Sequence, residues 1–100
     1  MLYMILGEDA SDSAARRAAA RPAHLLRARE LADAGRMVLA GPLPAIDSAD
    51  PGPAGVTGSL IVAEFESLDA AQAWAAADPY ASEGVFATMT VRPFRKVFPA

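Results

Sequence analysis

The run Ser59-Leu60-Ile61-Val62-Ala63-Glu64-Phe65-Glu66-Ser67-Leu68-Asp69-Ala70-Ala71-Gln72-Ala73-Trp74-Ala75 changes its hydrophobic period partway along, and that change decides the fold. From Ser59 to Phe65 the residues are almost continuously apolar, as in a strand buried on both faces. Ser67 then offers an N-cap oxygen, and Asp69 places negative charge in the first turn of a helix. From there Leu68, Ala71, Trp74 and Ala75 recur at helical spacing. Downstream, Asp78-Pro79 stops the helix, since proline lacks the amide hydrogen. Val85 to Val91 reads as a further strand, and Phe94 to Phe98 as its extension past Pro93.

Upstream the same grammar appears once more. Leu2 to Gly7 is a short apolar run that reads as a central strand. Asp9, Ser11, Asp12 and Ser13 supply N-cap chemistry for the helical stretch that follows. Pro22 divides that stretch, giving either one kinked helix or a short helix followed by a second. Leu25, Ala28, Leu31 and Ala32 form an apolar stripe, with Arg29, Glu30 and Asp33 facing away. Gly35 suits the left-handed position after a helix. Met37 to Ala40 reads as a strand ending in Gly41-Pro42. Leu43 to Gly58, rich in Pro, Gly and Asp, reads as a long loop.

The order is β-α-β-β-α-β. With short connections and right-handed crossovers it predicts an α+β, ferredoxin-like sandwich: a four-stranded antiparallel sheet with two helices on one face. Residues 1–100 are expected to form a single domain. The hydrophobic fraction is 53%, but 24 of those residues are alanine, which leaves a modest core. An uncovered sheet face then calls for a partner, and the expectation is a homodimer of the dimeric α+β barrel type.

Charge and composition exclude several roles. The net charge is −3, which disfavours nucleic-acid binding. Arginines at positions 16, 17, 21, 27 and 29 cluster on the first helical stretch. They read as a solvated helix face, with an anion or substrate carboxylate near Arg17 or Arg21 as the sharper alternative. No apolar run approaches the ~20 residues of a membrane span, so no membrane partner is expected. The N-terminus reads as a strand rather than a signal peptide, and the expected location is cytoplasmic. Cysteine is absent, so thiolate catalysis and thiolate metal ligation are unavailable. One histidine with no spaced ligand pair points to no metal. No glycine-rich strand-to-helix turn cradles phosphate, and no cofactor is expected.

That single histidine, His24, is the first candidate for chemistry, because histidine titrates near neutrality without special tuning. Asp78, where the second helix breaks, is the carboxylate that would orient it. Each has a plainer reading: His24 as a helix-edge ring bonded to a carbonyl or water, Asp78 as a cap before proline. Tyr80 either lines a pocket or closes the core. Gly41-Pro42 is a turn, or a place where backbone admits a ligand. Ser59 has no adjacent base in sequence and is not a nucleophile. Phe86, Phe94, Phe98 and Trp74 read as core or dimer interface.

Five strings in order, Arg21-Pro22-Ala23-His24-Leu25, Leu39-Ala40-Gly41-Pro42, Gly58-Ser59-Leu60, Ala77-Asp78-Pro79-Tyr80 and Val91-Arg92-Pro93-Phe94, together resemble the YCII-related family over essentially the whole chain. The resemblance implies the topology of small ferredoxin-like enzymes that dimerise into α+β barrels, and a dehydrochlorinase acting on chlorinated aromatic compounds as a relative. It implies catalytic roles for His24 and Asp78; Gly41, Pro42, Ser59 and Tyr80 are taken beside them as substrate-binding candidates. Three functions follow as expectations. The first is a cofactor-free acid-base enzyme (isomerase, lyase or dehydrochlorinase-like) on a small molecule. The second is a non-catalytic metabolite- or partner-binding module. The third is a structural dimer without ligand.

Overall fold

A computed structural model describes all of residues 1–100. The strands are β1 (Leu2–Asp9), β2 (Met37–Pro44), β3 (Val56–Glu64) and β4 (Phe86–Phe94). The helices are α1 (Ala14–Asp33), α2 (Leu68–Ala76) and the single turn α3 (Pro79–Ser82). The strands form one antiparallel sheet in the order β2-β3-β1-β4, the ferredoxin-like arrangement. As the apolar runs predict, β1 and β3 occupy the centre.

Alternation along β1 separates the two faces. Tyr3 and Ile5 are buried toward the helices, level with Ala63 and Ile61 of β3. They join Leu31 of α1 and Ala71 and Ala75 of α2 in the main core. Leu2, Met4 and Leu6 point to the opposite face, which no helix covers. A smaller cluster of Ala20, Tyr80 and Val85 ties α1 to α3 and the start of β4.

Helix α1 is one continuous helix with Pro22 inside it. Pro22 and Ala18, whose carbonyl loses its partner there, both lie on the exposed side, where water can serve that carbonyl. The buried residues of α1 are Ala20, His24 and Leu31, whereas Leu25 and Ala32 are exposed. The expected stripe is therefore turned by about half a helical step, and His24 sits at the centre of the inner face rather than at its edge. Ser13 holds the N-cap position without a side-chain cap bond, and Asp9 belongs to β1. Gly35 takes the expected left-handed conformation after α1, at φ 74°.

Helix α2 starts as the sequence predicts: the Ser67 hydroxyl accepts from the Ala70 amide at 3.0 Å. Its inner surface is Ala71 and Ala75, with Trp74 half-buried and Leu68 exposed.

Several strand boundaries differ from expectation: β1 continues past Gly7 to Asp9, and β3 begins at Val56 rather than Ser59. Strand β2 runs through Gly41-Pro42 to Pro44, an edge position where missing amide hydrogens cost no pairing. The loop is thus residues 45–55, and its neck is closed by the Ala45 amide donating to the Gly55 carbonyl at 2.9 Å. Strand β4 stops at Phe94, opposite Leu2, because β1 offers no partner beyond that residue. Phe98 is 84% exposed and extends no strand. No helix is long and apolar enough to cross a membrane.

Candidate active site

The site is assembled where α1, the start of α3 and the middle of the sheet converge. Asp78 follows the end of α2 and precedes Pro79, the first residue of α3. Proline there is pre-organised for a helical start and needs no hydrogen-bond partner. Asp78 is therefore the N-cap, and its Oδ1 accepts from the Tyr80 amide at 2.9 Å. The same carboxylate accepts from His24 Nδ1, at 2.9 Å to Oδ1 and 3.0 Å to Oδ2. The plain and the functional readings of Asp78 thus hold together: one carboxylate starts the helix and holds the imidazole. Both side chains are buried.

A carboxylate that is only an acceptor fixes the ring proton on Nδ1. Nε2 makes no protein hydrogen bond, and no buried side-chain nitrogen or oxygen is left without a partner. Nε2 is therefore open to accessible space. The ring is clamped from the side by Tyr80, stacked on it with centroids 3.9 Å apart and planes 14° apart. Phe86 meets Tyr80 edge-on at 5.6 Å.

Two arginines organise the surroundings. Arg27 donates from Nη1 to Asp78 Oδ2 at 3.1 Å and from Nη2 to the Trp74 carbonyl at 2.9 Å. Its guanidinium lies 4.3 Å from the Trp74 ring centroid. Arg17 forks onto both oxygens of Asp9 at 2.8 Å and reaches Ser59 Oγ at 3.0 Å. Burial works against the Arg17 charge, but the Asp9 carboxylate, helped by Tyr80, outweighs it and raises its pKa above the ordinary arginine value. Burial also pushes the Tyr80 phenol above its ordinary 10.0, against the opposing pull of Arg17 and Arg21.

His24, Gly41, Pro42, Ser59 and Tyr80 all border one cavity of about 170 Å³. Asp78 does not reach it. Asp78 stands behind His24, beside a small void toward Trp74 and Phe86. Next to the cavity, and sharing Arg17, Arg21 and Pro42 with it, is a wider cleft of about 860 Å³ between the start of α1 and Pro53–Thr57. The long loop borders this cleft and does not cover the cavity. A Cβ on Gly41 would meet nothing within 4 Å, so no backbone approach requires glycine there. No three His, Cys, Asp or Glu side chains gather into a set that could hold a metal ion.

Arg27 and the Asp9–Arg17 pair carry the site without having been singled out in these roles by the sequence. A signal for them exists: Arg17, Ala20, His24, Arg27 and Leu31 follow one another at steps of four and three, the spacing of a single helix face.

The chain has relatives among known proteins. The model of the YCII-related domain matches residues 1–95. The chain is 58% identical over 98 residues to Protein YciI of Escherichia coli O6:H1 (strain CFT073), covering 98% of this chain and all of that one. It is 47% identical, with the same coverage, to an uncharacterized protein of Haemophilus influenzae. Among solved structures it resembles the 5-chloro-2-hydroxyhydroquinone dehydrochlorinase TftG of Burkholderia phenoliruptrix AC1100, in complex with 2,5-dihydroxybenzoquinone. The TM-score there is 0.82 at 29% identity, over 95% of this chain and 94% of that one.

Proposed function

The chain belongs to the YCII-related family, and from that premise we propose that it is a cofactor-free enzyme acting on a small molecule through His24 and Asp78. The observation that carries the reading is the division of labour on one ring. Nδ1 is held by a buried carboxylate, Nε2 makes no protein hydrogen bond, and the residue borders a cavity.

In this reading His24 Nε2 takes a proton from a substrate carbon or hydroxyl. Asp78, still accepting from Nδ1–H, keeps the ring oriented and offsets the positive charge it acquires. Arg27 keeps the carboxylate in place. Return of the proton to another position gives an isomerisation. Departure of a leaving group with its bonding electrons gives an elimination, the class to which a dehydrochlorinase belongs. General acid-base catalysis of this kind contributes roughly 10²–10⁴-fold, which suits an already acidic substrate. A neighbour of the same fold whose name is that of a dehydrochlorinase supports the reading. Gly41, Pro42, Ser59 and Tyr80 are the proposed substrate walls. We also propose that the chain works as a homodimer, joined through the uncovered sheet face of Leu2, Met4, Leu6, Leu39 and Leu60.

The test is hydrogen exchange in D₂O into a panel of cyclic hydroxy- and keto-compounds, including 5-chloro-2-hydroxyhydroquinone, with chloride release followed in parallel. Exchange or elimination is expected, abolished by His24→Ala and by Asp78→Ala, with the double variant little worse than either. Ligand binding in the cavity with no exchange in any compound replaces this reading with that of a binding module.

A further inference from the structure

The chain carries a net charge of −3, yet no acidic side chain borders the 170 Å³ cavity. Its charged lining is Arg17 and Arg21, beside the His24 ring. Asp9, the nearest carboxylate of the adjoining cleft, is already spanned by the Arg17 fork. With Arg17 and Asp9 offsetting each other, Arg21 is the unpaired charge at the cavity, positive against the sign of the whole molecule.

The hydrogen-bonding inventory has the same sense. Arg17 spends three of its five N–H groups on Asp9 and Ser59, with its guanidinium 4.5 Å from the Tyr80 ring centroid. Ser59 Oγ accepts from Arg17, which leaves its own O–H to donate. The Tyr80 phenol, held protonated by burial, is a further donor at neutral pH. The Arg21 side chain forms no hydrogen bond or ion pair within the protein, and the residue borders both the cavity and the cleft beside it. Among these side chains His24 Nε2 is the one polar group with no proton to donate. The remaining side-chain walls, including Leu25, Ala28 and Ile61, are apolar. The volume is close to the about 150 Å³ of a cavity that takes up a benzene ring.

We infer that the cavity takes a single-ring-sized compound bearing an anionic oxygen, with Arg21 as the side chain that pairs with that oxygen. The inference rests on the cavity being the substrate site. It assigns the substrate class, a carboxylate or an enolate or phenolate, and it assigns Arg21 a role in specificity. The anionic oxygen sits toward Arg21 at the cleft side, with the apolar ring between Pro42 and the aliphatic walls. That pose leaves the acidic hydrogen toward Nε2, the one basic atom.

The test is a binding titration, followed by amide NMR on the full chain, with benzoate, 4-nitrophenolate and benzamide. Benzamide keeps the shape of benzoate without its charge. At least one anion is expected to bind at the cavity residues about tenfold or more tightly than benzamide, since hydrogen bonds to charged groups are roughly twice as strong as neutral ones. Benzoate and nitrophenolate separate the carboxylate from the phenolate case. Arg21→Gln, an exposed position whose change spares the fold, is expected to erase the preference. Equal binding of the three probes, no binding of either anion, or a preference that survives Arg21→Gln overturns the inference. His24→Ala distinguishes this from a failure of catalysis, because anion preference is expected to persist in it. Anion binding without exchange in any compound refutes the acid-base reading alone. Turnover confined to neutral compounds refutes this inference alone.

Discussion

The Tyr80 ring lies flat on the His24 imidazole, 3.9 Å between centroids, and is itself buried. Its phenol is pushed above 10.0 chiefly by that burial. The sign of the linkage follows. Below the ordinary tyrosine value both folded and unfolded chains keep the proton. As pH rises past 10.0 the unfolded chain releases it first, so the folded state loses stability. Denaturant unfolding on either side of that pH is expected to show a fall for the natural chain and a smaller fall for Tyr80→Phe, which keeps the stack and loses the titrating group. Equal falls in both proteins would show that Tyr80 contributes nothing to alkaline instability.

Arg27 is the outer support of the pair. Its Nη1 bond to Asp78 serves a carboxylate that is almost wholly buried. Arg27→Met leaves that oxygen without its charged donor, and a loss of about 1–3 kcal/mol is expected from chemical denaturation. Arg27→Lys should recover part of the stability but not the two-pronged contact that also holds the Trp74 carbonyl. A loss within error for Arg27→Met would make this contact a surface ornament.

Two glycines of the sheet make opposite demands. A Cβ on Gly58 would fall inside contact distance of the Gly7 carbonyl oxygen, in the paired backbone of β1 and β3. A Cβ on Gly41 meets open space. Gly58→Ala is expected to cost about 1–3 kcal/mol, the range for overpacking, and Gly41→Ala to stay within about 0.5 kcal/mol. Thermal melts of the two variants check the contrast.

The uncovered sheet face gives a prediction of assembly. Leu39 is 48% exposed on edge strand β2, level with Val62. Leu39→Glu should shift a sedimenting dimer to a monomer while leaving the circular dichroism spectrum intact. A natural chain that sediments as a monomer at micromolar concentration removes the proposed dimer altogether.

Strand order and sheet topology were legible because β1, β3 and β4 are short apolar runs separated by strong punctuation: the Ser67 cap, Asp78-Pro79 and Gly35. The facing of α1 was not. Alanine fills so much of that helix that the bulky Leu25 and Leu26 dominate any reading of its apolar side, yet both are exposed. The inner face follows the polar residues instead, because Arg17, His24 and Arg27 find partners inside and pack by their stems. The meeting of His24 and Asp78 was implied by family likeness. The residues alone could not give it, since 54 positions separate the two. The ends of β2 and β4 were misplaced because a strand ends where its neighbour ends, which is a property of pairing and not of local composition.

The central claim is that Asp78 holds the proton of the His24 ring on Nδ1 and so leaves Nε2 free to act as the base. His24 is the only histidine in the chain, so its two ring nitrogens can be read directly from ¹⁵N spectra of uniformly labelled protein. In the neutral ring the account predicts a protonated Nδ1 and an unprotonated Nε2, with that assignment lost in Asp78→Asn. A neutral ring protonated at Nε2, or one whose tautomer is unaffected by Asp78→Asn, would contradict it.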